Sequence, residues 1–282
     1  MSSISTPFPR KNNTVPHSLI MASNADHGMK DAVYKSMCDY LVNGYTVIYS
    51  AEDDPSRAVR GLSRVARNLG IEAALDGFIK NNFLTILGSK DIYRDYSQFD
   101  APALIEQWRS HVMHVAAKGS TFKGILAIGD PSGLLKGERS EQKLVEYELS
   151  VGRKPSNHVE AVCMYGDPEV TARLSFSGLI HILQSHYCTI HNGWHYREWQ
   201  PEYVVGLVSR GIDTVLGDGM SRLVFKTLRL VYNINEQIIT SRPGLFEEKL
   251  KKITGDQPAA LALGLIADVI RKEASFSRIG SA

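Results

Sequence analysis

The stretch that decides the fold lies between residues 17 and 51. It reads as an apolar run HSLIMA (17–22), a polar loop SNADHGMK (23–30), a helix-patterned segment from Asp31, and a second apolar run YTVIYSA (45–51). Two short apolar runs joined through a helix predict a βαβ unit with parallel strands. The same alternation continues to about residue 191. We therefore predict an α/β fold, with a mostly parallel sheet covered by helices on both faces.

The polar loop stands where P-loop ATPases carry G-x-x-x-x-G-K-[ST], a cradle whose glycines and lysine hold phosphates. Here residues 23–31 read SNADHGMKD, so Ser23 replaces the first glycine and Gly28 keeps the second. Lys30 comes one place late, and Asp31 replaces the metal-binding hydroxyl. The loop indicates a nucleotide-enzyme scaffold that has lost its phosphate chemistry, and it favours sensing or regulation over catalysis.

Composition sets limits on partners and compartment. The chain has 282 residues, 43% hydrophobic and 22% charged, with a net charge of +2, which gives no electrostatic reason to expect nucleic acid. Its apolar runs fall short of the roughly 20 residues that span a bilayer, so we expect no membrane partner. Residues 1–16 are polar and resemble a disordered lead-in more than a signal peptide. The three unpatterned cysteines predict free buried thiols in a reducing cytoplasm.

The strand signal stops after a polar aromatic connector at residues 194–203, and we place a domain boundary there. The prediction is a first domain at 17–203 and a small all-α domain at 204–282. Further predicted elements are a helix after Asp54 and Pro55, a loop at 91–100, one helix over 170–184, and tail helices at 206–216, 221–232, 245–253 and 257–272.

Several weak features occur in an order that resembles a known family. They are His17, Leu41–Gly44, Tyr45–Ser50, Asp91–Tyr93, Tyr147–Glu148, Cys163–Tyr165 and His186. Over about residues 17–203 this order resembles the MEDS domain, the methanogen/methylotroph sensory domain of the dichloromethane repressor. Two departures are Tyr187, where the family usually has proline, and Asp130-Pro131, where it tends to have tryptophan.

The resemblance implies a cytoplasmic, non-enzymatic signal-transduction protein on a RecA-like scaffold, related to KaiC-type ATPases without a phosphate loop. Parallel sheets bind ligands at the carboxyl ends of their strands. We therefore predict a pocket there for a small organic molecule. Its candidate residues are Asn24, His27, Gly28, Lys30, Glu52, Asp53, Tyr93 and Asp130. Tyr96 is a further aromatic candidate, although Tyr93 and Tyr96 are equally well explained as packing of a surface loop.

A KaiC-type nucleotide-binding protein is the main alternative. Glu52 would activate water and Asp130 would hold magnesium, with residual ATPase activity as the consequence. We expect no required cofactor, and at most a weakly bound nucleotide held by Gly28 and the helix N-terminus. The simpler interpretation is that the acidic residues at 52–54 cap the following helix.

The tail and the histidines offer two further hypotheses. Arg222, Lys226 and Arg229 share one helical face, which would suit DNA. An apolar face between Leu261 and Ile270 instead favours packing on the first domain, a signalling partner or self-association. The tail segment at 242–246 also resembles small helical domains of archaeal proteins, from which no function follows. His111 and His114, and the histidines at 181, 186, 191 and 195, lack a zinc-site pattern, so we expect no metal.

Overall fold

The computed structural model describes residues 17–22, 28–52, 54–93, 100–118, 123–136, 140–152, 159–191 and 195–276. The lead-in and five residues named above, Ser23, Asn24, His27, Asp53 and Tyr96, lie outside the described residues.

A seven-stranded sheet forms the centre of the fold. Its strands are β1 (His17–Met21), β2 (Thr46–Glu52), β3 (Leu84–Gly88), β4 (Ile125–Gly129), β5 (Val159–Tyr165), β6 (Cys188–His191) and β7 (His195–Glu198). They are ordered β3-β2-β4-β5-β1-β6-β7, and every neighbouring pair is parallel except β6 and β7. The predicted mostly parallel sheet is therefore confirmed.

Helices cover both faces of this sheet. Those within the first part of the chain are α1 (Met29–Val42), α2 (Pro55–Asn68), α3 (Glu72–Lys80), α4 (Ser89–Ile92), α5 (Ala101–Lys118), α6 (Ser140–Val151), α7 (Pro168–Ala172) and α8 (Phe176–Ser185). A 3₁₀ helix occupies Pro131–Lys136. Side chains alternate along each strand, so Ile20 packs with α1 and α2, while Leu19 packs with α8.

Local sequence signals account for most helix boundaries. Asp54 caps α2 by accepting the Ser56 amide at 2.9 Å, Pro55 is its first residue, and Gly70 follows its end at φ +73°, as the sequence predicts. The single helix expected over 170–184 is two helices, because Ser175 caps α8 and starts it anew. The connector expected at 194–203 contains β7, and the loop expected at 91–100 begins within α4.

The tail is helical, as expected. Its elements are α9 (Pro201–Leu216), α10 (Met220–Tyr232), α11 (Ile238–Ser241), α12 (Pro243–Thr254) and α13 (Asp256–Ala274). They share a hydrophobic core with α8, and the chain then returns to β1, where the Phe276 amide donates to the Met21 carbonyl at 2.7 Å. Because α9 begins at Pro201, the boundary predicted at residue 204 falls inside that helix, and the division into domains stays a prediction.

Two further expectations concern membranes and cysteines. Within the described parts of the chain, none of the helices is both long enough and apolar enough to span a bilayer. Cys38, Cys163 and Cys188 are all buried free thiols, as the sequence predicts.

Candidate functional site

A cavity of about 500 Å³ lies between the sheet and the helices α5 and α6. This volume is within the range of small-molecule sites. Its floor comes from β1, β4 and β5, and its walls are mainly apolar and aromatic. The lining residues include His17, Tyr93, Ile105, Trp108, Val112, Ala127, Gly129, Tyr147, Ala161 and Cys163. The cavity is therefore a candidate site for an organic ligand.

Gly129, the last residue of β4, lets two aromatic side chains reach the floor of this cavity. A Cβ atom at Gly129 would lie 2.7 Å from Trp108 Cζ2 and 2.7 Å from the Tyr93 hydroxyl oxygen. Both distances are well below van der Waals contact. The missing side chain of Gly129 thus makes room for the aromatic wall.

Two polar groups of that wall are buried without conventional partners. Tyr93 Oη and Trp108 Nε1 are shielded from solvent, and neither makes a hydrogen bond of normal geometry with any described residue. Trp108 and Tyr147 do lie beside the Tyr93 hydroxyl, and burial, the largest influence, raises the pKa of Tyr93 well above its usual value. Buried polar groups of this kind gain from a ligand that can hydrogen-bond to them.

Four polar side chains meet at the edge of the cavity, and we call them the quartet: His17, Glu148, Cys163 and His186. They come from β1, α6, β5 and the residue after α8. Each is buried, and their potential ligand atoms all lie within 4.8 Å of one another. His17 and Cys163 also line the cavity.

The backbone and one tyrosine orient the quartet. His17 Nδ1 donates to the Gly152 carbonyl at 2.9 Å, and His186 Nδ1 donates to the Ile182 carbonyl at 2.7 Å. Because a carbonyl only accepts, each Nδ1 carries a hydrogen and each neutral ring keeps its lone pair at Nε2. The Tyr165 hydroxyl donates to Glu148 Oε1, which leaves Glu148 Oε2 facing the other three side chains.

The remaining atoms form a compact group. His17 Nε2 lies 3.2 Å from Cys163 Sγ, and Glu148 Oε2 lies 3.7 Å from Cys163 Sγ. Glu148 Oε2 is also 3.4 Å from His186 Nε2 and 3.9 Å from His17 Nε2. The two imidazole rings are 4.1 Å apart between centroids.

Burial keeps most of the quartet uncharged. Loss of solvation lowers the pKa of His17 to about 4, although hydrogen bonds to the backbone of Gly152 and Ser185 act in the opposite direction. The same loss raises the pKa of Glu148 to about 7, against the hydrogen bonds from Tyr165 and Cys163. It also raises the pKa of the Cys163 thiol well above its usual value. In all three side chains burial shifts the pKa towards the neutral form, because a buried charge is costly.

Comparison with known families places this site within a sensory domain. Residues 22–187 match the model of a family described as MEDS, the MEthanogen/methylotroph, DcmR Sensory domain, and this match covers more than half of the chain. The chain belongs to the MEDS family. No curated protein matches it. Glu148, Cys163, His186 and most of the cavity lining fall inside the matched MEDS segment, while His17 precedes it by five residues.

The predicted strand-end residues of the MEDS domain occupy a different area. Gly28 is the N-cap of α1, Lys30 is exposed on its first turn, and Glu52 is the last residue of β2. Asp130 follows β4 and its Oδ2 accepts the Gly166 amide at 3.4 Å. Among the members of this predicted set that the structure describes, only Tyr93 lines the cavity. Asn24, His27 and Asp53 are outside the described residues, so the strand-end site stays a prediction.

Two parts of the predicted strand-end site, the start of α1 and the end of β4, lie close to Gly166. A Cβ atom on Gly166 would lie 3.3 Å from Asp130 Oδ2 and 3.8 Å from Met29 Cε, so the start of α1 and the end of β4 meet there.

The quartet was missed because its members are far apart in the sequence. All four belong to the motifs on which the family resemblance rests, and these motifs are the feature of the sequence that points to the quartet. Among the spaced histidines whose side chains the structure describes, His186 alone is in the cluster, and its histidine partner is His17, 169 positions earlier.

Proposed function

We propose that this chain is a signal-transduction protein whose MEDS domain binds a small organic molecule in the cavity beside His17 and Cys163. The single observation that carries this proposal is a cavity of about 500 Å³, walled by aromatic and apolar side chains, in the segment that matches a sensory family. The proposed role is binding rather than catalysis.

The lining indicates the chemical class of the ligand. Tyr93, Trp108 and Tyr147 offer flat apolar surfaces, and the Tyr93 hydroxyl and Trp108 indole N–H are buried donors that lie beside each other without a hydrogen bond of normal geometry. A mainly apolar molecule with one acceptor group, such as a carbonyl, ether or halogen, would bury its surface and satisfy these donors.

Helix α8 is the proposed route from the cavity to the tail. Its last turn carries the Ile182 carbonyl that holds His186. At its other end the Phe176 and Phe246 rings are 5.8 Å apart, and the Ser177 amide donates to Glu247 of α12 at 2.9 Å. A shift of His186 would therefore move a helix that contacts the tail directly.

The same route reaches α13. Arg271 donates to the Leu174 carbonyl, just before α8, at 2.9 Å. A ligand can use this connection only if it binds two arrangements of α8 with different affinity.

The tail is proposed to pass the signal on by contact with a partner protein or a second copy. Large apolar side chains are exposed on α10 and α13, namely Leu223, Leu230, Val231 and Leu261. DNA is the less favoured output, because Arg229, one of the three cations in the predicted stripe, forms an ion pair with Glu236 at 2.6 Å. A gel shift at physiological salt would test it.

A nucleotide is the second candidate ligand, on the RecA-like scaffold that the resemblance implies. Gly28 opens α1 near Asp130, and helix N-termini favour phosphate. Asp31 in the first turn would repel phosphate, although it forms an ion pair with Arg64. Heat from ATP with Mg²⁺ in calorimetry, reduced in Asp130→Asn, would favour this alternative.

The proposed compartment is the cytoplasm, because three buried free thiols suit a reducing environment.

A thermal-shift screen followed by calorimetry tests the main proposal. The panel is graded by size, from halogenated one-carbon compounds to bicyclic aromatic ketones and ethers. Ala161→Phe should weaken binding at least about tenfold, because the new ring would fill the cavity floor. Ala73→Phe is the control, because Ala73 is exposed on α3. Binding that survives Ala161→Phe unchanged would contradict the proposed location, and silence across the panel would contradict the proposed ligand class.

A further inference from the structure

We propose that the quartet of His17, Glu148, Cys163 and His186 binds one divalent transition-metal ion, with Zn²⁺ the favoured occupant. This proposal departs from the sequence-based expectation of no metal. It does not depend on the organic ligand proposed above, since it concerns only the protein and the ion.

The donor set is the first argument. Imidazole nitrogen, thiolate sulfur and carboxylate oxygen are the three ligand types that zinc takes in proteins, usually four at a time. Here two imidazoles, one thiol and one carboxylate come from four separate elements and converge with all ligand atoms within 4.8 Å.

The spacing is the second argument. Bonds of about 2.0–2.3 Å to a tetrahedral ion put neighbouring ligand atoms about 3.2–3.8 Å apart. Four of the six distances among the ligand atoms are 3.2, 3.4, 3.7 and 3.9 Å, and the other two are no longer than 4.8 Å. One ion therefore fits among these atoms with shifts of about 1 Å or less.

The orientation of the side chains is the third argument. Histidines that bind metal through one nitrogen nearly always donate the other N–H to a carbonyl or carboxylate. Both histidines do so here, to the carbonyls of Gly152 and Ile182, which directs Nε2 inward in each ring. Tyr165 holds Glu148 Oε1 from outside in the same manner and leaves Oε2 for the ion.

The charge of the quartet and the access that the cavity gives to it also suit a bound divalent ion. On binding, a sulfur–metal bond replaces the S–H bond of Cys163, and an oxygen–metal bond replaces the O–H bond of Glu148 where that side chain is protonated; each proton leaves to solvent. Two positive charges then face one thiolate and one carboxylate, so the buried centre is neutral overall. An ion can reach it through the cavity, since His17 and Cys163 line both.

Cobalt substitution tests this proposal on the full-length protein. After treatment with a chelator and its removal, Co²⁺ is titrated in and then displaced with Zn²⁺. We expect one ion per chain, a thiolate-to-cobalt charge-transfer band, and the strong visible bands of four-coordinate cobalt. Zn²⁺ should abolish them at one equivalent, because it is the tighter-binding ion in such sites.

Matched variants assign the ligands. Cys163→Ser should remove the charge-transfer band, whereas Cys188→Ser should keep it, because Cys188 is equally buried but contacts Ser18. Tyr165→Phe, which removes only the outer hydrogen bond, should weaken binding about 10–100-fold. His114→Asn, at an exposed position on α5, should have no effect.

The visible spectrum of the cobalt-loaded wild-type protein tests the proposal even if Cys163→Ser does not fold. Failure to bind Co²⁺ or Zn²⁺, or bound cobalt without a thiolate band, would overturn the proposal. So would a band that persists in Cys163→Ser or disappears in Cys188→Ser. None of these measurements involves an organic ligand, so failure here leaves the sensing proposal standing, and failure of the ligand screen leaves this one standing.

Discussion

The two faces of the sheet use the same strands for different purposes. On the face covered by α1 and α2, the inward positions are apolar, as at Ile20, Val47, Leu126 and Met164, and they pack against other apolar side chains. On the face covered by α5 and α6, five of the alternate positions of β1, β4 and β5 carry polar or small residues that line the cavity. These positions are His17, Ala127, Gly129, Ala161 and Cys163.

This difference shows how one sheet can separate stability from binding. Filling one face closely stabilises the fold, because tight apolar packing is the main favourable contribution. Small residues on the other face leave room for a ligand, and the buried quartet adds polar groups that packing alone would not require. The following predictions test this division.

The largest expected effect concerns two methionines in equivalent roles on the covering helices. Met37 of α1 is fully buried, whereas Met113 of α5 borders the cavity and is 63% exposed. Met37→Ala should lower the free energy of unfolding by about 2–5 kcal/mol, and Met113→Ala should change it by less than about 0.5 kcal/mol. Urea unfolding measures both. Equal losses would mean that both faces are packed alike.

A smaller effect is expected at Gly129. Gly129→Ala places a methyl group 2.7 Å from Trp108 and Tyr93, so both rings must shift into the cavity. We expect a loss of about 1–3 kcal/mol in the free energy of unfolding, together with weaker ligand binding.

Gly77→Ala is the matched control for Gly129. It lies within α3, and its Cβ would meet nothing within 4 Å. It should stabilise the protein by about 0.5–1 kcal/mol, since alanine favours a helix over glycine. Thermal and urea unfolding distinguish the two signs.

The cap of α8 tests the route to the tail. Ser175 Oγ accepts the Gly178 amide at 3.0 Å, and Glu141 of α6 accepts the Ser175 amide at 2.7 Å. Ser175→Ala should cost about 1 kcal/mol and reduce ligand-induced changes in hydrogen exchange over α12 and α13.

Asp54→Ala provides the comparison, because it removes a cap from α2 on the opposite face. It should leave the ligand-induced exchange response of α12 and α13 unchanged. If both substitutions reduce that response equally, α8 is not a specific route.

The smallest stability effect is expected at Glu148. Glu148→Gln keeps the shape of the side chain and an acceptor for Tyr165 but removes the ability to ionise. In a chelator, the free energy of unfolding should change by less than about 1 kcal/mol, since the cost of burying a carboxylate offsets its contacts. A loss above 3 kcal/mol would show that the quartet is a structural element of the metal-free fold.

Local chemistry explains why much of the fold could be predicted. Asp54 and Pro55 predict the start of a helix, and Gly70 predicts its end. The apolar runs at 17–22 and 45–51 predict strands. The division between α7 and α8 at Ser175 is harder to predict from the sequence, because the capping residue also contacts Glu141, 34 positions away. The candidate site was predicted only in part, since of the proposed residues with a described position Tyr93 alone lines the cavity.

By itself, the sequence determined the alternation of strands and helices, the parallel sheet, the helical tail and the family, because these depend on periodicity, caps and the order of motifs. Only the tertiary structure decided which residues meet. β1 lies between β5 and β6, so His17 contacts Cys163 and His186, which are more than 140 positions away. Periodicity assigns a residue to a face of the sheet, but strand order selects its neighbours, and that order follows from packing of the whole chain.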